Sequence, residues 1–456
     1  MLVNRVERGR YLDSVALMRV SRRVEALPGV EAAALLIGTP ANKALLRNAG
    51  LLGAEGEQAT PNDLIIAVRG AKAAQAVESG LQLLVETRQE PAEALPRARS
   101  LPGALELLPD ANLALVSVPG EFAAYEARNA LERGLHVLVF SDNVPLEEEI
   151  SLKRLARDKG LLLMGPDCGT ALIAGTPIAF ANAVPRGDIG IVSASGTGLQ
   201  EVSSLIARLG GGVSHGIGVG GRDLDARIGA LGTLAALEAL EQDPATSKIV
   251  LISKPPSPEA AQRVLERIER SPKPCVVCFL GLRAPGIALT LTEAAERALN
   301  RKLAPLAPTR AKKIPGGRVR GLFCGGTLCA EGELIFQAKN LSGHAFVDLG
   351  ADELTRGRPH PMIEPELRSD HLKRALADAA VDLVLVDVVL GYGAHENPAA
   401  VLAKAIGKRK PVIASVTGTE QDPQVWSRQV AILREAGVIV AASNAHAAQL
   451  AAALVA

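Results

Sequence analysis

The chain has 456 residues, a formal net charge of +1 and 48% hydrophobic residues. That is enough for about three domains with full cores, without the basic excess that draws a protein to nucleic acid. No apolar run reaches the roughly 18 residues of a membrane span, and the charged first segment lacks a signal-peptide core. Five cysteines without disulfide-framework spacing predict a cytoplasmic location with reduced thiols. One Trp and three Tyr are too few for base-stacking platforms.

In chain order, apolar runs of strand length occur at 32–38, 63–70, 112–118, 136–141, 161–165, 188–194, 248–254, 275–281, 320–326, 383–391, 411–418 and 438–443. Between most of them lie Ala-rich stretches with apolar residues at helical spacing, such as EFAAYEARNALERG and SPEAAQRVLERIER. Alternation of continuous apolar strands with helices predicts an α/β chain of several parallel-sheet domains, covered on both faces. Ligands then belong at the carboxyl ends of strands. Pro-rich 89–111 and turn-rich 182–190 read as boundaries, and 301–321, with seven basic residues, as a solvated connector rather than a binding patch.

Two stretches repeat one design: IVSASGTGLQEVSSLIARLG (191–210) and GLFCGGTLCAEGELIFQAKN (321–340). Each is a strand ending in a small-residue knot, Ser195-Gly196-Thr197 or Gly325-Gly326-Thr327, followed at once by a helix. Such a turn aims free backbone N–H groups and the positive end of a helix dipole at one spot. Glycine allows close approach, and Ser195, Thr197 and Thr327 add hydroxyl donors. A phosphate or carboxylate is the expected ligand; plain helix capping is the alternative for either copy alone. There is no Walker A motif, and the glycine-rich 211–225 follows a helix rather than a first strand, unlike a dinucleotide fingerprint.

Residues 112–299 resemble the α subunit of succinyl-CoA synthetase and related nucleoside-diphosphate-forming acyl-CoA synthetases. The resemblance lies in MGPDCGTALI (164–173), GDIGIVSASGTGLQEV (187–202), GIGVGGRD (216–223) and the strand KIVLISKPP. Residues 319–456 resemble the ligase domain of the β subunit through GLFCGGTLCAE, FVDLGA (346–351), VLVDVVLGYGAH (384–395) and GVIVAASNAHAAQL. With GTPANK (38–43) and GRPHPMIEP (357–365), the fused arrangement is similar to the FdrA family. The resemblance implies an N-terminal α/β domain (1–95), a Rossmann-like, CoA-binding-type region (96–186) and a flavodoxin-like ligase α-type domain (187–300). A linker (301–318) and a flavodoxin-like ligase β-type domain (319–456) follow. It also implies that Ser195, Gly196 and Thr197 hold one side of a phosphoryl group, and Gly325, Gly326 and Thr327 the other.

The departures from the synthetases are specific. The loop that carries their phosphohistidine reads GLRAPGIALTLTEAAE (281–296) and has no histidine. Lys254 stands where a supporting glutamate is expected, and no ATP-grasp domain precedes the β-like part. Resemblance to the FdrA family implies a subunit of an acyl-phosphate-using transferase, moving a carbamoyl group between carbamoyl phosphate and oxamate in allantoin catabolism. Companion subunits are implied, and homo-oligomerisation stays open. The alternatives are an acid–CoA ligase component that depends on a partner for ATP, and a non-catalytic scaffold. No metal is implied, and no cofactor is required, with CoA as an open alternative.

Further candidates carry two readings each. Lys254 is a phosphate ligand of the catalytic site or a solvated strand-end lysine. Arg356, Arg358 and His360 suit an oxamate-like acceptor through bidentate contacts, or form a rigid Pro-flanked loop. His395 is a catalytic group at a strand's carboxyl end or a hydrogen-bonded loop histidine. Asp387, inside an apolar strand, reads as a structural carboxylate accepting backbone N–H bonds; His215, Asp223 and Asp225 are ambiguous. Cys275 and Cys278 form a CxxC inside a strand and read as buried hydrophobes. Cys324 and Cys329 flank the second turn and read as packed thiols, with a pKa lowered by the helix N-terminus as the alternative for Cys324; Cys168 has no partner base in view.

Overall fold

A computed structural model describes residues 1–10, 14–86, 98–306, 312–355, 360–407 and 410–456. The chain divides into two compact units, Met1–Arg97 with Thr355–Pro359, and Ala98–Leu354 with His360–Ala456. No helix among the described residues is long and apolar enough to cross a membrane.

The first unit runs β1 (Leu2–Glu7), α1 (Ser14–Glu25), β2 (Val30–Ile37), α2 (Pro40–Asn48), α3 (Ala54–Glu57), β3 (Leu64–Gly70) and α4 (Ala73–Glu86). Its sheet has the order β1-β3-β2, and both pairings are antiparallel. This corrects the expectation of parallel strands here. A continuous apolar run reports coverage of both faces, not strand direction. Central β3 turns Leu64, Ile66 and Val68 toward a core with Leu17, Val24 and Val77. Its intervening Ile65 and Ala67 pack with Leu46, Leu51 and Ala59 on the other face. Strand β1 escaped the sequence reading because Asn4 and Arg5 interrupt it, as suits an edge.

The second unit opens with α5 (Leu101–Leu107), β4 (Leu113–Val116), α6 (Gly120–Glu132), β5 (His136–Val139), α7 (Leu146–Asp158) and β6 (Leu163–Met164), whose three strands form a parallel sheet. A hairpin, β7 (Thr170–Ile173) and β8 (Thr176–Ala179), then leads into β9 (Arg186–Ser193), α8 (Gly196–Arg208), β10 (Val213–Gly218), α9 (Leu231–Gln242), β11 (Lys248–Ser253), α10 (Pro258–Ile268), β12 (Cys275–Phe279) and α11 (Leu291–Leu299). The sheet order is β12-β11-β9-β10-β7-β8, parallel except where the hairpin is added.

The last part runs β13 (Val319–Phe323), α12 (Gly326–Ala338), β14 (Ala345–Asp348), α13 (Asp352–Thr355), α14 (Glu366–Ala377), β15 (Leu383–Val389), α15 (Pro398–Ala405), β16 (Val412–Thr417), α16 (Trp426–Glu435), β17 (Ile439–Ala441) and α17 (Asn444–Val455). Its all-parallel sheet has the order β14-β13-β15-β16-β17, which counted within this half is the flavodoxin-like order 2-1-3-4-5. The preceding half repeats the first four positions, with β9 in the place of β13. In this topology the strand order reverses at the first strand, opening a crevice beyond its carboxyl end. Both small-residue turns stand there.

One core joins the two halves. Leu199, Val202 and Leu205 of α8, Leu291 and Ala295 of α11, Leu328 and Phe336 of α12, and Ala447 and Ala451 of α17 belong to a single buried cluster. Alanines on α11 and α17 let these helices approach closely, so both sheets share their inner helix layer.

Candidate functional site

The two turns, 132 residues apart in sequence at this contact, touch. Ser195 Oγ and Thr327 Oγ1 lie 2.5 Å apart, each able to donate to the other. A methyl carbon built on Gly325 would lie 3.1 Å from Thr197 Cβ. The N-termini of α8 and α12 therefore meet at one place.

Two of the three hydroxyls, those of Ser195 and Thr327, are used differently from the expectation of free donors. Ser195 is the N-cap of α8, its Oγ accepting from Gly198 N–H at 2.8 Å. Its remaining capacity goes to Thr327, which is fully buried. Gly196, Thr197 and Gly326 keep partial exposure. Helix α12 has Gly325 as its N-cap and so no side-chain cap. Its first backbone N–H groups, from Gly326 onward, are left for a ligand or solvent, as helix geometry requires of an uncapped end.

Asp387 prepares this second turn. Inside β15 and fully buried, it accepts from Cys324 N–H and Gly325 N–H, both at 2.8 Å. Arg368 of α14 pairs with it at 3.1 Å and donates to the Asp387 and Leu322 carbonyls at 2.8 Å. The carboxylate thus satisfies the N–H groups just outside the helix, while the guanidinium offsets its charge.

Lys254, exposed at the end of β11, reaches across to the same turn. A methyl on Gly326 would lie 3.0 Å from its Nζ and 2.4 Å from Asp348 Oδ2. Asp348 also accepts from Gly350 N–H at 2.9 Å. Among the described residues Lys254 and Asp348 stand beside the turn, and Lys254 sets the attraction for an incoming anion against Asp348.

His360 stands close by. A methyl on Gly350 would lie 2.3 Å from its Nε2 and 2.6 Å from the Cys324 carbonyl oxygen. Its Nδ1 accepts from Met362 N–H at 3.2 Å. Burial pushes its pKa down to about 4, so the ring is neutral at physiological pH and carries its proton on Nε2. His395 belongs to the adjoining loop, where its N–H bonds the Met362 carbonyl at 2.9 Å and its Nδ1 accepts from Asn397 N–H at 2.9 Å. A base role at Nδ1 is thereby spent; Nε2 is the atom left for a donor role. Arg356 and Arg358 lie outside the described residues.

Other candidates resolve into structure. Asp223 is fully buried and accepts from Gly232 N–H and Thr233 N–H, both at 2.8 Å, at the start of α9. Lys153 of α7 pairs with it at 2.6 Å. Asp225 bonds Arg227 N–H on the surface. His215 on β10 accepts from Ala174 N–H at 3.2 Å and faces Asp243. Residues three apart on a strand point to opposite faces, so Cys275 and Cys278 of β12 cannot form a CxxC site.

At Cys324 the packing reading holds and the lowered-pKa alternative falls. Burial pushes its thiol well above the ordinary value, and the Asp387 carboxylate adds to that. Burial likewise raises Cys168 and Cys329 to about 12. The native chain should therefore show less than one rapidly reacting thiol at pH 7 with an aromatic disulfide reagent, and all five after denaturation. A fast stoichiometric reaction mapped to Cys324 would defeat this reading.

Sequence reasoning passed over Asp348, Gly350 and a pair of glutamates, Glu201 and Glu331. Both glutamates sit six residues after the first residue of their knot, an offset that the repeat itself displays.

The family described as CoA-ligase matches residues 322–454, and the family described as AllF, heavy metal-associated domain, matches residues 1–98. Residues 1–98 contain neither cysteine nor histidine. Among the described residues no group of three His, Cys, Asp or Glu side chains is placed to hold a metal ion. Thiolate and imidazole donors to a soft heavy metal are thus absent from residues 1–98, whose sulfur atoms are the thioethers of Met1 and Met18. Uncharacterized protein YahF of Escherichia coli (strain K12) is 42% identical over 500 aligned positions, covering 97% of this chain and 96% of YahF. The succinate–CoA ligase [ADP-forming] subunit alpha 2 of Archaeoglobus fulgidus is 29% identical over 180 residues, 39% of this chain and 61% of that subunit. That match spans less than two thirds of the subunit. Among solved structures, the dinucleotide-forming acetyl-coenzyme A synthetase 1 of Ca. Korarchaeum cryptofilum, in complex with phosphate and ADP, is 18% identical, with a TM-score of 0.33. The match covers 82% of this chain and 92% of that one.

Proposed function

The chain belongs to the YahF, FdrA-type family and is CoA-ligase-like, and on that premise we propose that it is a component of an acid–CoA-ligase-type enzyme. In this reading its paired turns hold the phosphoryl group of an acyl phosphate. The contact of Ser195 with Thr327 carries the reading, because it brings two helix N-termini to one point. In the acyl-transfer step an acceptor nucleophile attacks the acyl carbon and the carbon–oxygen bond to the phosphate breaks. The phosphate leaves with the bonding electrons. Backbone N–H groups of Gly196, Thr197 and Gly326, with Lys254, stabilise the charge that grows on it. His360 and His395 serve the acceptor as Nε2–H donors. Activation by a nucleotide comes from a partner subunit.

A second reading has a specific observation behind it. The loop from Gly281 to Thr290 contains no histidine to carry a phosphoryl group, and Lys254 stands by Gly326 instead. A phosphocarrier is dispensable if the acyl phosphate arrives from solution. Carbamoyl phosphate is such a mixed anhydride, and the amide nitrogen of oxamate is a fitting acceptor, losing its proton to solvent as phosphate departs.

Calorimetry with inorganic phosphate, CoA and ATP, each titrated alone, tests the shared core of both readings. Phosphate binding that disappears in Lys254→Ala is expected. Phosphate release from acetyl phosphate with CoA, against release from carbamoyl phosphate with oxamate, separates the two readings. The assay is run with and without partner subunits. A chain that binds no phosphate and supports no release in any combination is not this enzyme.

A further inference from the structure

Resting on the phosphate-clamp reading, we propose that Glu201 and Glu331 are positioning residues that tie the two clamp helices together by capping each other's half crosswise. Each glutamate lies on a helix whose first turn forms one side of the clamp, Glu201 on α8 and Glu331 on α12. Neither points at its own half's last helix. Glu331 Oε1 accepts from Leu291 N–H at 2.7 Å, the first residue of α11, in the opposite half. Glu201 Oε1 accepts from Asn444 N–H at 3.0 Å, the first residue of α17, again in the opposite half. The correspondence is residue for residue, since α11 and α17 close their respective halves.

Asn444 joins the two caps. Its Nδ2 donates to Glu331 Oε2 at 2.8 Å and to the Leu328 carbonyl at 2.9 Å, while its backbone N–H goes to Glu201. Thr417 donates to Glu201 Oε2, and Thr292 of α11 bonds Ser443 of α17 at 2.8 Å. Glu331 is 1% and Glu201 2% exposed. Two carboxylates are thus taken out of water at the seam between the halves, where burial alone opposes their charge. Hydrophobic packing around them would hold the halves without that cost. What the carboxylates add is direction: a shift of α12 relative to α11, or of α8 relative to α17, breaks a buried bond to a helix N-terminus. The Ser195–Thr327 contact lies at the first turn of the same two helices, so its register follows from these bonds.

Burial pushes the Glu331 carboxyl up to about 7, against the bonds from Asn444 and Leu291, with Glu201 adding to the rise. Glutamine at this position keeps the side chain's shape and one acceptor, for Leu291 N–H, and gives up the bond from Asn444 Nδ2. The test is therefore the contrast of Glu331→Ala with Glu331→Gln in the full-length chain, with Glu201→Ala beside them. Sulfate is the probe, since it stays a dianion throughout the working pH range. Affinity is read by calorimetry well below each variant's melting temperature. The expected result is a loss of sulfate affinity of about tenfold or more in each alanine variant, with part of it regained in Glu331→Gln, which keeps the Leu291 cap. Should Glu331→Ala fail to fold, Glu331→Asp serves in its place, because a side chain one methylene shorter draws the carboxylate off Leu291. Lowered melting temperatures with sulfate affinity unchanged would overturn the proposal while leaving the clamp intact. Absence of sulfate and phosphate binding by the wild-type chain would remove the clamp and this proposal with it.

Discussion

Gly326→Ala is expected to lower phosphate affinity at least tenfold while shifting the melting temperature by only a few degrees. The added methyl would sit 2.4 Å from Asp348 Oδ2 and 3.0 Å from Lys254 Nζ. Both distances are below van der Waals contact, so both side chains must move. Asp348 is short and already engaged with Gly350 N–H, so it cannot swing aside without giving up that bond. The damage stays at the mouth of the turn, since the nearest atoms are side-chain tips rather than backbone or core. Tenfold corresponds to about 1.4 kcal/mol, a modest demand on a lost cation contact and a crowded helix end. Gly196→Ala offers the comparison. Its methyl would meet Thr170 Oγ1 at 3.1 Å, with the next atom at 3.8 Å, so a smaller loss is expected. Calorimetry on both variants at one pH decides the matter; equal and undiminished affinities would show that the anion does not bind at these turns.

Asp387→Ala is expected to cost about 3–5 kcal/mol, the range for removing one partner of a buried ion pair. Arg368, 2% exposed, would lose its counter-charge, and Cys324 N–H and Gly325 N–H would lose their acceptor. The chain supplies its own reporter. Its single tryptophan is Trp426, on α16 of the same half, with Nε1 donating to the Val416 carbonyl at 2.9 Å. Arg208 of α8 lies over its ring at 4.2 Å, so the fluorescence also senses the neighbouring half. Urea unfolding followed at Trp426 should show a lower midpoint for Asp387→Ala, a smaller drop for Asp387→Asn, which keeps one acceptor, and an unchanged slope. A midpoint equal to that of wild type would mean that the pair is not holding the turn.

Much of the α/β architecture could be read from apolar runs, because covered strands leave a local signature in composition. The repeated knots were equally visible, since a strand, a small-residue turn and a helix are adjacent in the chain. Asp387 was readable as a carboxylate that serves backbone N–H groups, because a charge inside an apolar strand must find such partners. Strand direction in the first unit was not readable. Its central β3 is covered on both faces, as a parallel strand would be, and the β7–β8 hairpin is too short to show a pattern. The thiol of Cys324 shows the same limit in its chemistry. Proximity to a helix N-terminus lowers a thiol pKa only where the thiolate can be solvated, and burial beside Asp387 reverses the sign.

Local chemistry, then, specified two anion-seeking turns and the strands that feed them, since each depends on neighbours a few residues away. Whether those turns act separately or as one site depends on contacts between segments more than a hundred residues apart. Packing of α8, α11, α12 and α17 into one core brings Ser195 to Thr327 and turns Glu201 and Glu331 toward the opposite half. It also spends the hydroxyls of Ser195 and Thr327 on each other, so an anion there meets backbone N–H groups, Lys254 and the partly exposed Thr197.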